Sequence, residues 1–120
     1  MENKEIIEGN KLVAEFDGWV IDNSFPDKDR TYIKNGGIEL DTTFKYHTSW
    51  DWLMPVVENI QSLAIDEVGE INVMIASHEC LIGEDYYHPI INIERNGSYI
   101  SMIYIAVVEF IKWYNENKNN

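Results

Sequence analysis

The sequence predicts an α+β fold: a small, mostly antiparallel sheet packed by two long amphipathic helices and one short N-terminal helix. Three observations predict it. From Trp50 onward, apolar residues fall at Leu53, Met54, Val57, Ile60 and Ala64, the three-and-four spacing of one helix face. Ile103, Ala106, Val107, Phe110, Ile111 and Tyr114 repeat that spacing, and Ile100 extends it backwards. Between them Ile71, Val73 and Ile75 alternate with Asn72, Met74 and Ala76, the period of a half-buried strand. Helices set apart from short strands are the signature of this class.

Taken in order, residues 1–9 are polar and charged, with only Ile6 and Ile7 to pack, and read as a frayed end or a helix start. Leu12, Val13 and Phe16 are spaced for a short helix, and Gly18 is placed as its C-terminal stop. Trp19, Val20 and Ile21 form an apolar knot expected to pack beneath that helix. Residues 22–30, with Asn23, Ser24, Pro26, Asp27 and Asp29, read as a surface loop. Thr31–Ile33 and Ile38–Leu40 flank Lys34-Asn35-Gly36-Gly37, which predicts a hairpin.

The central helix is expected over about residues 49–65, with Thr48 as N-cap and Asp51 as the acidic partner in its first turn. Pro55 lies beyond the first turn and is expected to bend it. Residues 78–88 read as a strand end followed by a loop, and Ile90–Ile93, preceded by Pro89, as a second strand. The last helix is expected from Ser98, in preference to a strand hairpinned through Asn96-Gly97, because the helical period reaches back to Ile100. Lys112 suits the negative end of its dipole. Asn115–Asn120 reads as a fraying tail.

The chain has 120 residues, the size of one domain with one core, and 45% are hydrophobic. No apolar run approaches the ~18 residues that span a bilayer, and no basic-then-apolar leader follows Met1. Cys80 has no second cysteine to pair with. The expectation is a cytoplasmic protein that does not associate with membranes. Twenty-one carboxylates against nine Lys and Arg give a formal charge of −12. That field repels nucleic acid backbones and favours basic protein surfaces. The plainer alternative is a well-solvated exterior.

Three groups of side chains carry candidate chemistry. His78, Cys80 and His88 are weak metal candidates, since only one short ligand pair is present and zinc takes four ligands. The same Cys80 is a poor nucleophile, because Glu79, Glu84 and Asp85 would raise its thiol pKa. Lys45, His47, Thr48 and Ser49 lead into a helix N-terminus, where free N–H groups attract a phosphate. Trp50 and Trp52 follow and are candidates to stack on a base, so the six form a candidate site for a nucleotide-like ligand, one that a homodimer could hold between its protomers. Packing alone would also account for the aromatic pair. Asp27, Asp29, Glu84 and Asp85 are the candidate contacts for a basic partner. No P-loop, dinucleotide-binding glycine pattern or zinc-helix motif is present, so neither cofactor nor catalysis is expected.

Three blocks carry a resemblance: Leu12-Val-Ala-Glu-Phe-Asp-Gly-Trp19, Tyr46-His-Thr-Ser-Trp-Asp-Trp-Leu-Met-Pro-Val-Val-Glu58 and Ala106-Val-Val-Glu-Phe-Ile-Lys-Trp-Tyr-Asn115. Together they resemble a family of small proteins from phages and prophages of Bacteroidetes-type bacteria. More distantly they are similar to the phage ABA sandwich, a helix–sheet–helix module. The resemblance implies a small cytoplasmic accessory protein of a phage; with the acidic charge, the expectation is that it binds and occupies a basic surface of a host defence or nucleic-acid-handling protein. It brings no catalytic residues with it.

Overall fold

The computed structural model describes residues 2–22, 31–65 and 68–118. It has the α+β architecture, with three helices and antiparallel strands divided among three small sheets. Helix α1 spans Asn3–Phe16, longer than the short helix expected, because Ile6 and Ile7 continue its packed side toward the N-terminus. It closes as a Schellman motif. Gly18 sits at φ +99°, its N–H donates to Glu15 O, and the Trp19 N–H donates to Ala14 O.

Strands β1 (Val20–Asp22), β2 (Thr31–Lys34) and β3 (Gly37–Leu40) form a meander in that order. The two-residue turn is Asn35-Gly36, both at positive φ, 50° and 85°, as a primed hairpin turn requires. The apolar knot at Trp19–Ile21 is therefore not a plug under α1. Trp19 and Ile21 pack partly inward, while Val20 faces water as part of β1.

Helix α2 spans Trp50–Gln61 and ends earlier than its periodicity implied. Ala64–Ile65 forms β4, paired with β5 (Gly69–Glu70). The N-cap is Ser49, not Thr48, and its side chain makes no capping bond. The reason lies in the preceding turn. The Thr48 and Ser49 N–H groups both donate to Lys45 O, which folds Thr48 into that turn and leaves Ser49 extended as the first boundary residue. Leu53, Val56, Val57 and Ile60 are buried, as the apolar face requires, but Trp50 is 43% exposed at the helix's overhanging end. Pro55 lies inside the helix at an exposed position, where it has no backbone N–H to donate.

Strands β6 (Asn72–Ile75), β7 (Glu79–Gly83) and β8 (Pro89–Glu94) form the third sheet, in sequence order. Residues 79–83, expected as a strand end and loop, are instead its central strand. Helix α3 (Tyr99–Asn117) follows. Its N-cap is Ser98, whose Oγ accepts the Ser101 N–H at 3.2 Å. It runs on through Asn115–Asn117, where a frayed tail was expected. It packs against α1, α2, β7 and β8 and buries residues around most of its circumference, from Met102 to Ile111.

Two polar features tie α1 to the segment before α2. Tyr46 Oη donates to Asp17 Oδ2 at 2.7 Å, and Lys34 Nζ lies 3.2 Å from the same oxygen. Burial, then the Asp17 contact, raises the Tyr46 hydroxyl far above its ordinary range. Asn10, itself buried, donates through Nδ2 to Phe44 O at 3.2 Å and meets His47 Nδ1 at 3.1 Å.

Candidate functional site

The β7–β8 hairpin carries the most distinctive exposed chemistry among the described residues. Its connection, Glu84-Asp85-Tyr86-Tyr87-His88, is exposed throughout, with Tyr86 at 58% and Tyr87 at 83%. One carboxylate organises it. Asp85 Oδ1 accepts the Tyr87 N–H and the His88 N–H, each at 2.9 Å, and meets His88 Nδ1 at 2.8 Å. This is an Asx turn closed by a histidine. Asn72 Nδ2 donates to Glu84 O at 2.9 Å and pins the tip to β6. The two tyrosine rings meet edge to face at 5.6 Å.

The electrostatics follow from the same contacts. The hydrogen bond from His88 holds the Asp85 carboxyl below the usual range, and the bond to Asp85 holds the His88 imidazole above its own. The pair therefore stays ionised across neutral pH more fully than either group alone. Glu84, exposed beside the pair, adds a second carboxylate to the tip. Large aromatic rings beside fixed carboxylates suit arginine and lysine: the ring takes the flat guanidinium face and the carboxylate its N–H edge.

Of the residues singled out in the sequence for a basic partner, Glu84 and Asp85 stand together on this tip. Asp27 and Asp29 lie outside the described residues. Sequence reasoning missed Tyr86 and Tyr87. An Asp three residues ahead of a His-Pro pair is the signal that marks this stretch as an exposed turn.

The metal candidates do not converge. Cys80 is enclosed in the middle of β7, in register with Ile75 and Ile93, and burial pushes its thiol up to about 11. His78 is exposed beyond the strand and His88 is held by Asp85. Among the described residues, the potential ligand atoms that lie within 4.8 Å of one another belong to Glu84, Asp85 and His88, all exposed.

The nucleotide candidates split into two sets. Lys45, Thr48 and Trp50 are exposed and Ser49 is half-buried. Trp50 leans on Tyr99, with ring centroids 6.0 Å apart. Trp52 turns inward, stacked on Trp19 at 6.4 Å and edge-on to Tyr46 at 5.3 Å, the contacts that the packing alternative for the aromatic pair requires. His47 also turns inward, onto Asn10 and toward Tyr104.

His47 carries a pH prediction. Because Asn10 Nδ2 donates, His47 Nδ1 must be the bare nitrogen, and burial lowers its pKa. Protonation places a second donor against the Asn10 amide. Turning that amide over would set Oδ1 against Phe44 O. A lowered folded pKa means that unfolding takes up a proton below the unfolded value of ~6.5. The stability from this contact is fully present above that value and declines as pH falls from there toward the folded pKa. Urea midpoints measured from neutral to mildly acid pH are expected to fall more steeply for the wild type than for His47→Asn, which keeps an acceptor and does not titrate. Parallel curves would show that the contact contributes nothing.

Compared with models of known families, with curated proteins and with solved structures, the chain matches none.

Proposed function

We propose that this is a non-catalytic binding protein that docks its acidic, tyrosine-bearing hairpin tip on a basic surface of a partner protein and acts by occupying it. The observation that carries the reading is the Asp85-organised tip, which holds two exposed tyrosines and two carboxylates in one fixed turn. Pre-ordering matters, because a turn already closed loses little conformational freedom on binding. The net charge of −12 steers basic surfaces toward it. The enclosed Cys80, with its raised thiol, supports a role that does not use a cysteine nucleophile. The resemblance of the three sequence blocks to phage proteins supports the choice of partner: a host factor, of the defence or nucleic-acid-handling kind, whose basic groove the tip would fill.

The test is capture from host lysate on the immobilised protein, followed by a salt series on the partner recovered. Retention is expected to fall steeply from about 0.1 to about 1 M NaCl, as the Debye length shrinks from ~10 to ~3 Å. Tyr87→Ala is expected to weaken binding by roughly 30-fold, about 2 kcal/mol, as truncating an interface anchor does. Its melting temperature should match the wild type, since Tyr87, at 83%, is the most exposed of the large hydrophobic side chains described. Salt-independent retention, or a Tyr87→Ala protein that binds normally, removes the tip as the interface.

A further inference from the structure

The three helices run in the same direction. Near their starts, Tyr104 Oη of α3 donates to Ile6 O of α1, and at their ends Phe16 meets Tyr114 edge to face at 5.9 Å. Trp50 and Tyr99, the first residues of α2 and α3, also meet, with ring centroids 6.0 Å apart. The C-terminal ends therefore gather, and they line one cavity of about 530 Å³. Glu15 and Phe16 come from the end of α1, Asn59 and Leu63 from the end of α2, and Tyr114 and Lys118 from the end of α3. The volume is that of a small-molecule site, ~300–1,000 Å³.

Parallel helices add their dipoles instead of cancelling them, and each C-terminal end carries roughly half a negative charge. The usual complement is missing, since none of the three has a basic residue in its last turn. Glu15 adds a full negative charge, and the ion pairs among the described residues do not include it. Against these stands one cation lining the cavity, Lys118 at the C-cap of α3, whose Nζ lies 5.8 Å from the Tyr114 ring centroid. The negative side exceeds it by roughly one and a half charges.

We propose that this cavity binds a linear polyamine, a cation whose ammonium groups are spaced along methylene stems. Lys118 already displays the chemistry: an ammonium on an alkyl stem, held over the Tyr114 ring. A polyamine displaces it, sets one ammonium over that ring and a second against the Glu15 carboxylate, and lays its stem along Phe16 and Leu63, both half-buried. Its several charges match the excess that one lysine leaves, which a single lysine from a partner protein would not. A bare divalent cation is the poorer occupant. Calcium takes ~6–8 oxygens. Here Glu15 is the one carboxylate in the lining, and the Val13, Asn59 and Tyr114 carbonyls already accept the N–H groups of Asp17, Ser62 and Lys118. The cavity shares no residue with the β7–β8 tip, so the two readings fail independently.

Calorimetric titration of the full chain with spermidine in about 0.1 M NaCl, with amide NMR shifts to locate it, is the test. One molecule is expected to bind, with shifts concentrated at Ser62, Leu63 and Asn115, which line the cavity. Glu15→Gln is expected to weaken binding about three- to fivefold, the upper range for an exposed ion pair. Glu94→Gln, the same charge change just ahead of the start of α3, should leave it nearly unaltered. Lys118→Gln is expected to tighten binding about threefold by removing the resident competitor, while Lys4→Gln, at the start of α1, should not. All four positions are exposed, so circular dichroism melts should match the wild type. Equal losses in Glu15→Gln and Glu94→Gln, or shifts scattered over the whole surface, would mean diffuse counterion binding to a −12 chain and overturn the proposal. So does a Lys118→Gln protein that binds as Lys4→Gln does, an absence of binding, or magnesium chloride alone producing the same localised shifts.

Discussion

Phe44→Ala is expected to destabilise the protein by about 3–5 kcal/mol, a large share of the ~5–15 kcal/mol that holds a typical domain together. Phe44 is the hub of an aromatic cluster built from distant parts of the chain. Its ring centroid lies 5.2 Å from that of Tyr32, 5.5 Å from Trp19, 5.9 Å from Tyr46 and 6.2 Å from Trp52. Three of those four contacts are edge to face, the geometry that adds to plain burial. Alanine leaves a void bounded by four large planar rings, each fixed by other partners. Tyr46 is tied to Asp17, and Trp52 is stacked on Trp19. The walls therefore cannot collapse inward, which places the cost at the upper end of large-to-small substitutions. Urea unfolding followed by tryptophan fluorescence measures it, since Trp19 and Trp52 border the void. A shift below about 1 kcal/mol would mean that the cluster repacks freely and is not the keystone of the sheet-to-helix junction.

Gly83→Ala is expected to cost roughly 3 kcal/mol or more, for a different reason. Gly83 sits at the bulge where β7 meets β8. A Cβ there would stand 2.6 Å from His88 O, 2.7 Å from Pro89 Cα and 2.8 Å from Ile90 N. All three are backbone atoms, so no side chain can swing aside, and the hairpin must open. Opening it moves His88 away from Asp85 and dissolves the turn that holds Tyr86 and Tyr87. Thermal unfolding reads the stability loss, and the amide shifts of Tyr87 and His88 read the local one. A variant with wild-type melting temperature and unmoved shifts would show that the hairpin has slack where the geometry gives it none.

The elements legible in the sequence were those whose signal is local. Asn35-Gly36 demands a tight turn by its own backbone preferences, and Ser98 with the period from Ile100 marks a helix start. Burial set by distant partners was not legible. Gly9 and Asn10 look like polar filler until Tyr104 and His47 arrive against them. Cys80-Leu81-Ile82 shows no alternation, because the central strand of its sheet is buried on both faces, so its sequence resembles a strand end rather than a strand. Trp50 carries the right phase for the core but sits where α2 overhangs it. For the site, Glu84 and Asp85 were legible as charge in a turn-like stretch. That Asp85 would spend one oxygen on organising the turn, and so present the two tyrosines, depends on atomic contacts that no spacing encodes.

The hydroxyl of Tyr104 donates to Ile6 O at 3.2 Å, joining residues 98 positions apart. Closing a loop of that span costs roughly 4 kcal/mol of chain entropy before any contact offsets it. The docking of the first helix on the last is therefore the contact with the largest closure cost among the hydrogen bonds described. Prior formation of the intervening hairpins shortens the effective loop and lowers that cost, so the two ends of the chain are expected to come together late in folding.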